Sequence, residues 1–185
     1  MTEMIKIKQI LAHSMNYLSR NPGLQTGYLP YFGGKVPENT PPKLERCYWD
    51  YGDGTGRFLE ACQLAKKALG YSIPEEVEQG LWDQLLRFLA EDGLFYSPQT
   101  PWSRGDYADI WYQRGVLLAL SMRYHELYQA SDLEVLNRMV EGLDKAAIRQ
   151  RGETWFYYAW DKQNRSIDEM STNHCFILID VLTFC

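Results

Sequence analysis

The chain has 185 residues, 45% of them apolar and 23% charged, with a formal net charge of −5. That length and balance suit a domain with a real core and argue against disorder. The acidic excess, with Lys and Arg scattered, excludes the basic stripe a nucleic-acid partner requires and gives no attraction to an anionic membrane.

The aromatic share is high, with thirteen Tyr and six Trp. Many fall between the helical segments, where a flat apolar face with a polar tip suits a wet binding surface. No run of about 18 apolar residues occurs, so no membrane span is expected. The opening Met1-Thr2-Glu3-Met4-Ile5-Lys6 is amphipathic and lacks the apolar core of a secretion signal, which predicts a cytoplasmic protein. Cys47, Cys62, Cys175 and Cys185 show no CxxC spacing, so reduced thiols are expected, with no disulfide framework and no zinc or other metal site. GxSxG, HExxH and P-loop patterns are missing from the sequence, and no cofactor is expected.

In chain order, Ile7, Ile10, Leu11, Met15 and Leu18 recur every three to four positions and predict a first helix over 3–19, stopped by Asn21-Pro22-Gly23. A long stretch rich in Pro, Gly and Tyr follows to Gly54, and loops of that length are often functional. A second helix is expected from Thr55 to Gly70, on Phe58, Ala61, Cys62, Ala65, Ala68 and Leu69. Ser72 and Glu75 have the spacing of a capping box and open a third helix that runs to Glu91. A second aromatic loop covers 92–106. A fourth helix is predicted over 107–129, and its centre, Val116-Leu117-Leu118-Ala119-Leu120, is apolar on every side and so buried all round. Ser131 and Glu134 form another capping pair, opening a fifth helix. The aromatic segment Thr154-Trp155-Phe156-Tyr157-Tyr158-Ala159-Trp160 admits a short β-hairpin near 153–160.

The order amphipathic helix, aromatic loop, more buried helix occurs twice and begins a third time. Its period, roughly 60 to 70 residues, is longer than that of tetratricopeptide or armadillo repeats and suits an α/α toroid. Successive helices in such a stack are antiparallel, so the three aromatic loops should meet at one end. The expected fold class is therefore all-α: one helical domain over 1–185, forming part of an (α/α)6 toroid. The apolar run Phe176–Phe184 reads as the opening of a third inner helix that stops short. That predicts an incomplete toroid, inactive alone, which either self-associates through the exposed flank of its fourth and fifth helices or behaves as a fragment.

Two stretches carry the candidate chemistry. Trp49-Asp50-Tyr51-Gly52-Asp53-Gly54-Thr55-Gly56-Arg57 places two carboxylates three apart before a helix, among glycines that leave backbone open to approach. Trp102-Ser103-Arg104-Gly105-Asp106-Tyr107-Ala108-Asp109-Ile110-Trp111 repeats the i, i+3 spacing at the next helix entry. Asp at such positions either caps the helix and complements its dipole or accepts hydrogen bonds from the vicinal hydroxyls of a sugar. A calcium loop fits poorly, because the spacing departs from the EF-hand pattern. A dinucleotide loop fits worse, since no apolar strand precedes the glycines. His174 beside Cys175 has no partner at metal-ligand or nucleophile spacing.

The segment from Cys47 through Ala61, together with Asp92-Gly93-Leu94-Phe95 and Pro101-Trp102, resembles the inner-helix entries of six-hairpin glycosidases, in particular the N-terminal part of the β-L-arabinofuranosidase-type families. The resemblance implies a carbohydrate-active protein, a glycoside hydrolase or a fragment of one. Most of the family's catalytic residues fall in later hairpins, so the catalytic residues here are unassigned. The substrate-binding candidates are Trp49, Asp50, Asp53, Trp102, Asp106, Tyr107, Asp109 and Trp111. The competing expectation is a non-catalytic helical-repeat binding or scaffold protein. A sugar site gathers Trp49, Trp102 and Trp111 along one cleft, and a scaffold spreads them over a convex surface. A terpenoid-type cyclase is disfavoured by the lack of an Asp run for magnesium diphosphate.

Overall fold

A computed structural model describes residues 2–20 and 22–167. Its centre is a pair of helices, α2 (Gly52–Leu69) and α4 (Ile110–Leu127). Gly52 lies against Tyr112, Gly56 against Gly115, and Lys66 pairs with Glu126 at 2.9 Å. Matching neighbours from first turn to last make the two helices parallel, with both N-termini at one end. Glycine is what permits the approach. A Cβ on Gly56 would overlap the Gly115 carbonyl, and one on Gly115 would sit 2.6 Å from the Gly52 carbonyl oxygen. In α4, Val116, Leu117, Ala119 and Leu120 are fully buried and Leu118 is 6% exposed, as expected of a segment apolar on every side.

The remaining helices pack around this pair. The helix α1 (Thr2–Arg20) is held by Met15, while Ile7, Ile10 and Leu11 of its apolar stripe stay exposed. Val77, Leu81, Trp82 and Leu85 of α3 (Glu75–Leu86) are buried, and the Tyr28 ring lies directly on its Gly80. The helix α5 (Ala130–Ala146) folds back along α4 and is tied to it by a buried pair. Arg123 Nε donates to Asp132 at 2.8 Å, and the Arg123 guanidinium stacks 3.7 Å from the Trp82 ring centroid.

Seven short strands form three antiparallel sheets among the described residues: β1 (Gly33–Lys35) with β2 (Lys43–Glu45), β3 (Ser97–Thr100) with β4 (Ser103–Asp109) and β7 (Ala159–Asp161), and β5 (Ile148–Gln150) with β6 (Glu153–Trp155). The expected all-α toroid is therefore corrected to a mixed α/β fold of five helices and three small sheets among the described residues. The physical reason lies in segments that read as loops. Their main-chain groups pair with each other in strands of three to seven residues, most of them too short for a period-2 pattern to show. The expected hairpin near 153–160 is displaced: β5 and β6 make it over 148–155, while β7 crosses to β4.

Neither capping box forms. Pro74 is the N-cap of α3 and Gln129 that of α5, and neither supplies a side-chain cap. The start of α2 is Gly52, three residues before the predicted Thr55, which brings Asp53 inside its first turn. The three aromatic segments do meet at the end where α2 and α4 begin. Tyr112 donates to the Tyr48 carbonyl, and Ala108 of β4 pairs with Trp160 of β7. His174, Cys175, Cys185 and the apolar run Phe176–Phe184 lie outside the described residues, and with them the expectation of a truncated third inner helix. No helix among the described residues is long and apolar enough to cross a membrane.

The glycine contact yields a direct expectation. Gly56→Ala forces α2 away from α4 and lowers stability by about 3 kcal/mol, whereas Gly70→Ala, where no atom lies within 4 Å but φ is +67°, costs about 1 kcal/mol. Urea denaturation of the two variants checks the order.

Candidate functional site

The strand β4 lines a cleft at the rim. It is paired with β3 through a register shift: Ser97 faces Tyr107 while Gln99 faces Arg104, so β4 carries one extra residue. The bulge falls at Gly105 and Asp106, both left-handed, with φ of +72° and +50°. A bulge re-aims the side chains beyond it. After it, Tyr107 and Asp109 turn inward, buried to 7% and 1% exposure, while the Asp106 side chain stays 82% exposed and pairs with Lys162 at 3.7 Å.

Beside this bulge lies a cleft of about 530 Å³, within the range of small-molecule sites. Its walls are Tyr48, Trp102, Tyr107 and Tyr158, with Asp109 and Arg104 as the charged members. Ser97 and Ser103 share a hydrogen bond behind it. Asp109 is also the N-cap of α4, its Oδ1 accepting from the Trp111 backbone N at 2.7 Å. A chain of hydroxyls runs through the wall. Tyr107 and Tyr112 hydroxyls lie 2.9 Å apart, and Tyr112 donates to the Tyr48 carbonyl at 2.9 Å. The Tyr48 and Tyr158 hydroxyls share a further hydrogen bond. Burial pushes the phenols of Tyr48, Tyr112 and Tyr158 upward, and the nearby Asp109 charge adds to this.

The eight candidates thus separate. Trp102, Tyr107 and Asp109 line the cleft, and Asp106 stands at the surface beyond the bulge. Asp50 is fully buried and serves the fold of the long N-terminal loop. Its Oδ1 accepts from Phe32 N at 2.7 Å and its Oδ2 from Cys47 N at 3.1 Å. Arg46 completes that knot, donating to the Leu29 and Pro30 carbonyls at 2.9 and 2.7 Å and stacking on Tyr31. The Cys47 thiol, which donates to Asp50, is pushed up to about 11 by burial and by the Asp50 charge. Asp53 chelates Arg57 Nε at 2.9 and 3.0 Å. Burial raises its pKa against the opposing pull of Arg57. Trp49 and Trp111 meet edge to face at 6.0 Å, with the Arg57 guanidinium 5.8 Å from the Trp111 ring centroid. Asp53, Trp49 and Trp111 form this separate patch and are not among the residues lining the cleft.

Tyr48, Arg104 and Tyr158 also line the cleft and lie outside the eight candidates. Tyr48 adjoins the Trp49 motif, Arg104 stands inside the second motif, and Tyr158 belongs to the aromatic run. The signal was present, but it did not show which side chains share a wall. Among the described residues, no group of three or more His, Cys, Asp or Glu is placed to hold a metal ion. No protein-family model, no curated protein and no solved structure matches this chain.

The buried phenols set an alkaline limit. Burial pushes the phenols of Tyr96, Tyr112 and Tyr158 above the ordinary tyrosine range. The native state then holds protons that the unfolded chain releases above about pH 10. Their contribution is fully present below that pH and is lost as pH rises beyond it. Absorbance titration should show a class of phenols that ionises late, together with the loss of near-UV circular dichroism. Ionisation of every phenol near pH 10 with the fold intact contradicts the burial argument.

Proposed function

We propose that the cleft bounded by Tyr48, Trp102, Tyr107, Tyr158 and Asp109 binds a sugar unit, and that this chain is a carbohydrate-binding protein. The observation that carries the reading is the composition of that wall. Four aromatic side chains and one buried carboxylate line about 530 Å³. Aromatic faces cover the apolar C–H surface of a pyranose or furanose, and phenol hydroxyls with a carboxylate exchange hydrogen bonds with its hydroxyls. Hydrolysis by the usual mechanism uses two carboxyl groups flanking the glycosidic bond, and the lining residues supply one, Asp109. Binding is accordingly the activity proposed, with cleavage left to any carboxylate contributed from outside this cleft. A cytoplasmic setting is part of the proposal, supported by the free thiols of Cys47 and Cys62.

Calorimetric titration with methyl glycosides and short oligosaccharides tests the reading. Trp102→Ala should weaken binding about tenfold through lost stacking. Asp109→Asn keeps an N-cap of similar strength, so it should lower affinity at little cost in melting temperature. Unchanged affinity in both variants removes the cleft from the function.

A second reading, a non-catalytic interaction protein, is favoured by a different observation. Ile7, Ile10 and Leu11 on α1 are 58%, 64% and 40% exposed, and Leu127, Leu133 and Val140 are exposed around α4 and α5. Light scattering separates the two. A concentration-dependent increase in mass, reversed by Ile10→Asp, supports association through α1, and a monomer at all concentrations opposes it.

A further inference from the structure

We infer that the cleft selects an anionic sugar, one bearing a carboxylate such as a uronate residue, and that Arg104 is the residue that reads this charge. The inference rests on the carbohydrate reading of the same cleft and names the substrate class within it. Arg104 is the one basic side chain among the lining residues. Several other acids and bases of the rim are committed. Asp53 holds Arg57, Asp50 holds Arg46, Asp161 holds Arg165, and Asp106, two residues from Arg104, pairs with Lys162 instead. Arg104 enters none of these pairs and makes no side-chain hydrogen bond within the described protein. It is exposed, on β4 immediately before the bulge at Gly105 and Asp106.

An unpaired guanidinium gains little by standing alone at a cleft that also holds a carboxylate. Its planar fork matches a carboxylate in two parallel hydrogen bonds, a fit that a neutral hydroxymethyl group cannot reproduce. The rest of the wall is divided accordingly. Asp109 is buried, and a carboxylate accepts from hydroxyl donors and repels a ligand carboxylate placed beside it. A uronate therefore orients in one way, with its carboxylate toward Arg104 at the mouth and its hydroxyls toward Asp109. The protein's net charge of −5 works against anions at long range, so a preference for an acidic sugar has to come from a local cation.

The test is a comparison of methyl glucuronide with methyl glucoside by calorimetric titration, on the full 185-residue chain and on Arg104→Gln and Arg104→Lys. Glucose 6-sulfate is the third ligand and separates a carboxylate from any other anion. The unaltered chain should bind the glucuronide roughly tenfold more tightly than the glucoside. In Arg104→Gln that ratio should fall to about one. Arg104→Lys should keep part of it, as a charge without the fork. Equal affinity for glucuronide and glucoside overturns the selectivity while leaving the sugar site standing. A ratio that survives in Arg104→Gln overturns the role of Arg104. Tighter binding of the sulfate than of the glucuronide overturns the carboxylate assignment. Failure to bind any of the three sugars overturns the sugar site and this inference with it. The Arg104 side chain makes no hydrogen bond among the described residues, so equal melting temperatures for the three proteins are expected and check that the ratios report on binding.

Discussion

Everything at the rim depends on the contact between the glycines of α2 and α4. Gly52, Gly56 and Gly115 bring two helix backbones closer than any side chain allows. Helices normally pack 8–10 Å apart, with side chains setting the distance. Here the first turns approach through backbone, which fixes the two N-termini side by side. The segments that lead into those helices, 24–51 and 88–109, must then converge. The cleft is a consequence of that convergence, because Tyr48 arrives just ahead of one helix and Tyr107 and Asp109 just ahead of the other.

Convergence would be costly without internal partners for the polar groups it buries. Two arrangements supply them. Asp50 and Arg46 organise the N-terminal loop, taking backbone N–H groups on one side and backbone carbonyls on the other. Gln113 does the same for the segment before β3, where its amide accepts from Phe95 N and donates to Phe95 O at 2.9 and 2.7 Å. Each is a buried polar side chain spent on local backbone. Neither is available for a ligand. Asp50 is thus the residue for which the capping and folding account prevails over the binding account.

The helices were legible because their signal is repeated over several turns. Ile7 to Leu18 and the apolar centre of α4 leave little choice of period. The expected start of α2 falls three residues late because Gly52 and Gly54 read as loop, although here glycine serves close packing within the helix. The strands were not legible for the opposite reason. Ser97-Pro98-Gln99-Thr100 and Gly33-Gly34-Lys35 show no apolar alternation and hold a single β-branched residue, Thr100, and their pairing is decided by where α2 and α4 deliver them. The acidic pairs show the same limit. Spacing i, i+3 suggested two equivalent helix entries, but Asp106 and Asp109 are on a bulged strand and point to different surroundings. A one-residue bulge has no composition signature beyond its glycine.

The aromatic excess also has a more specific use than a wet surface. Tyr51, Phe88, Phe95, Tyr112 and Tyr107 form a continuous column, each ring 5.6–5.9 Å from the next. Tyr51, Phe95, Tyr107 and Tyr112 of this column are buried, and its last member, Tyr107, is a wall of the cleft. Mostly edge-to-face and tilted contacts of this kind favour one mutual geometry over the alternatives. The Tyr107 ring is therefore backed by packing that runs through the core to α2, and its hydroxyl is held by Tyr112. A wall fixed in this way loses little conformational entropy when a ligand arrives, which is how a shallow cleft gains affinity without more contacts. The same column explains why the phenols cluster. Rings that fill the core carry their hydroxyls with them, and those hydroxyls are satisfied at its edge by one another and by nearby carbonyl and carboxylate oxygens. The polar face of the cleft is the outer end of the core's own hydrogen-bond network.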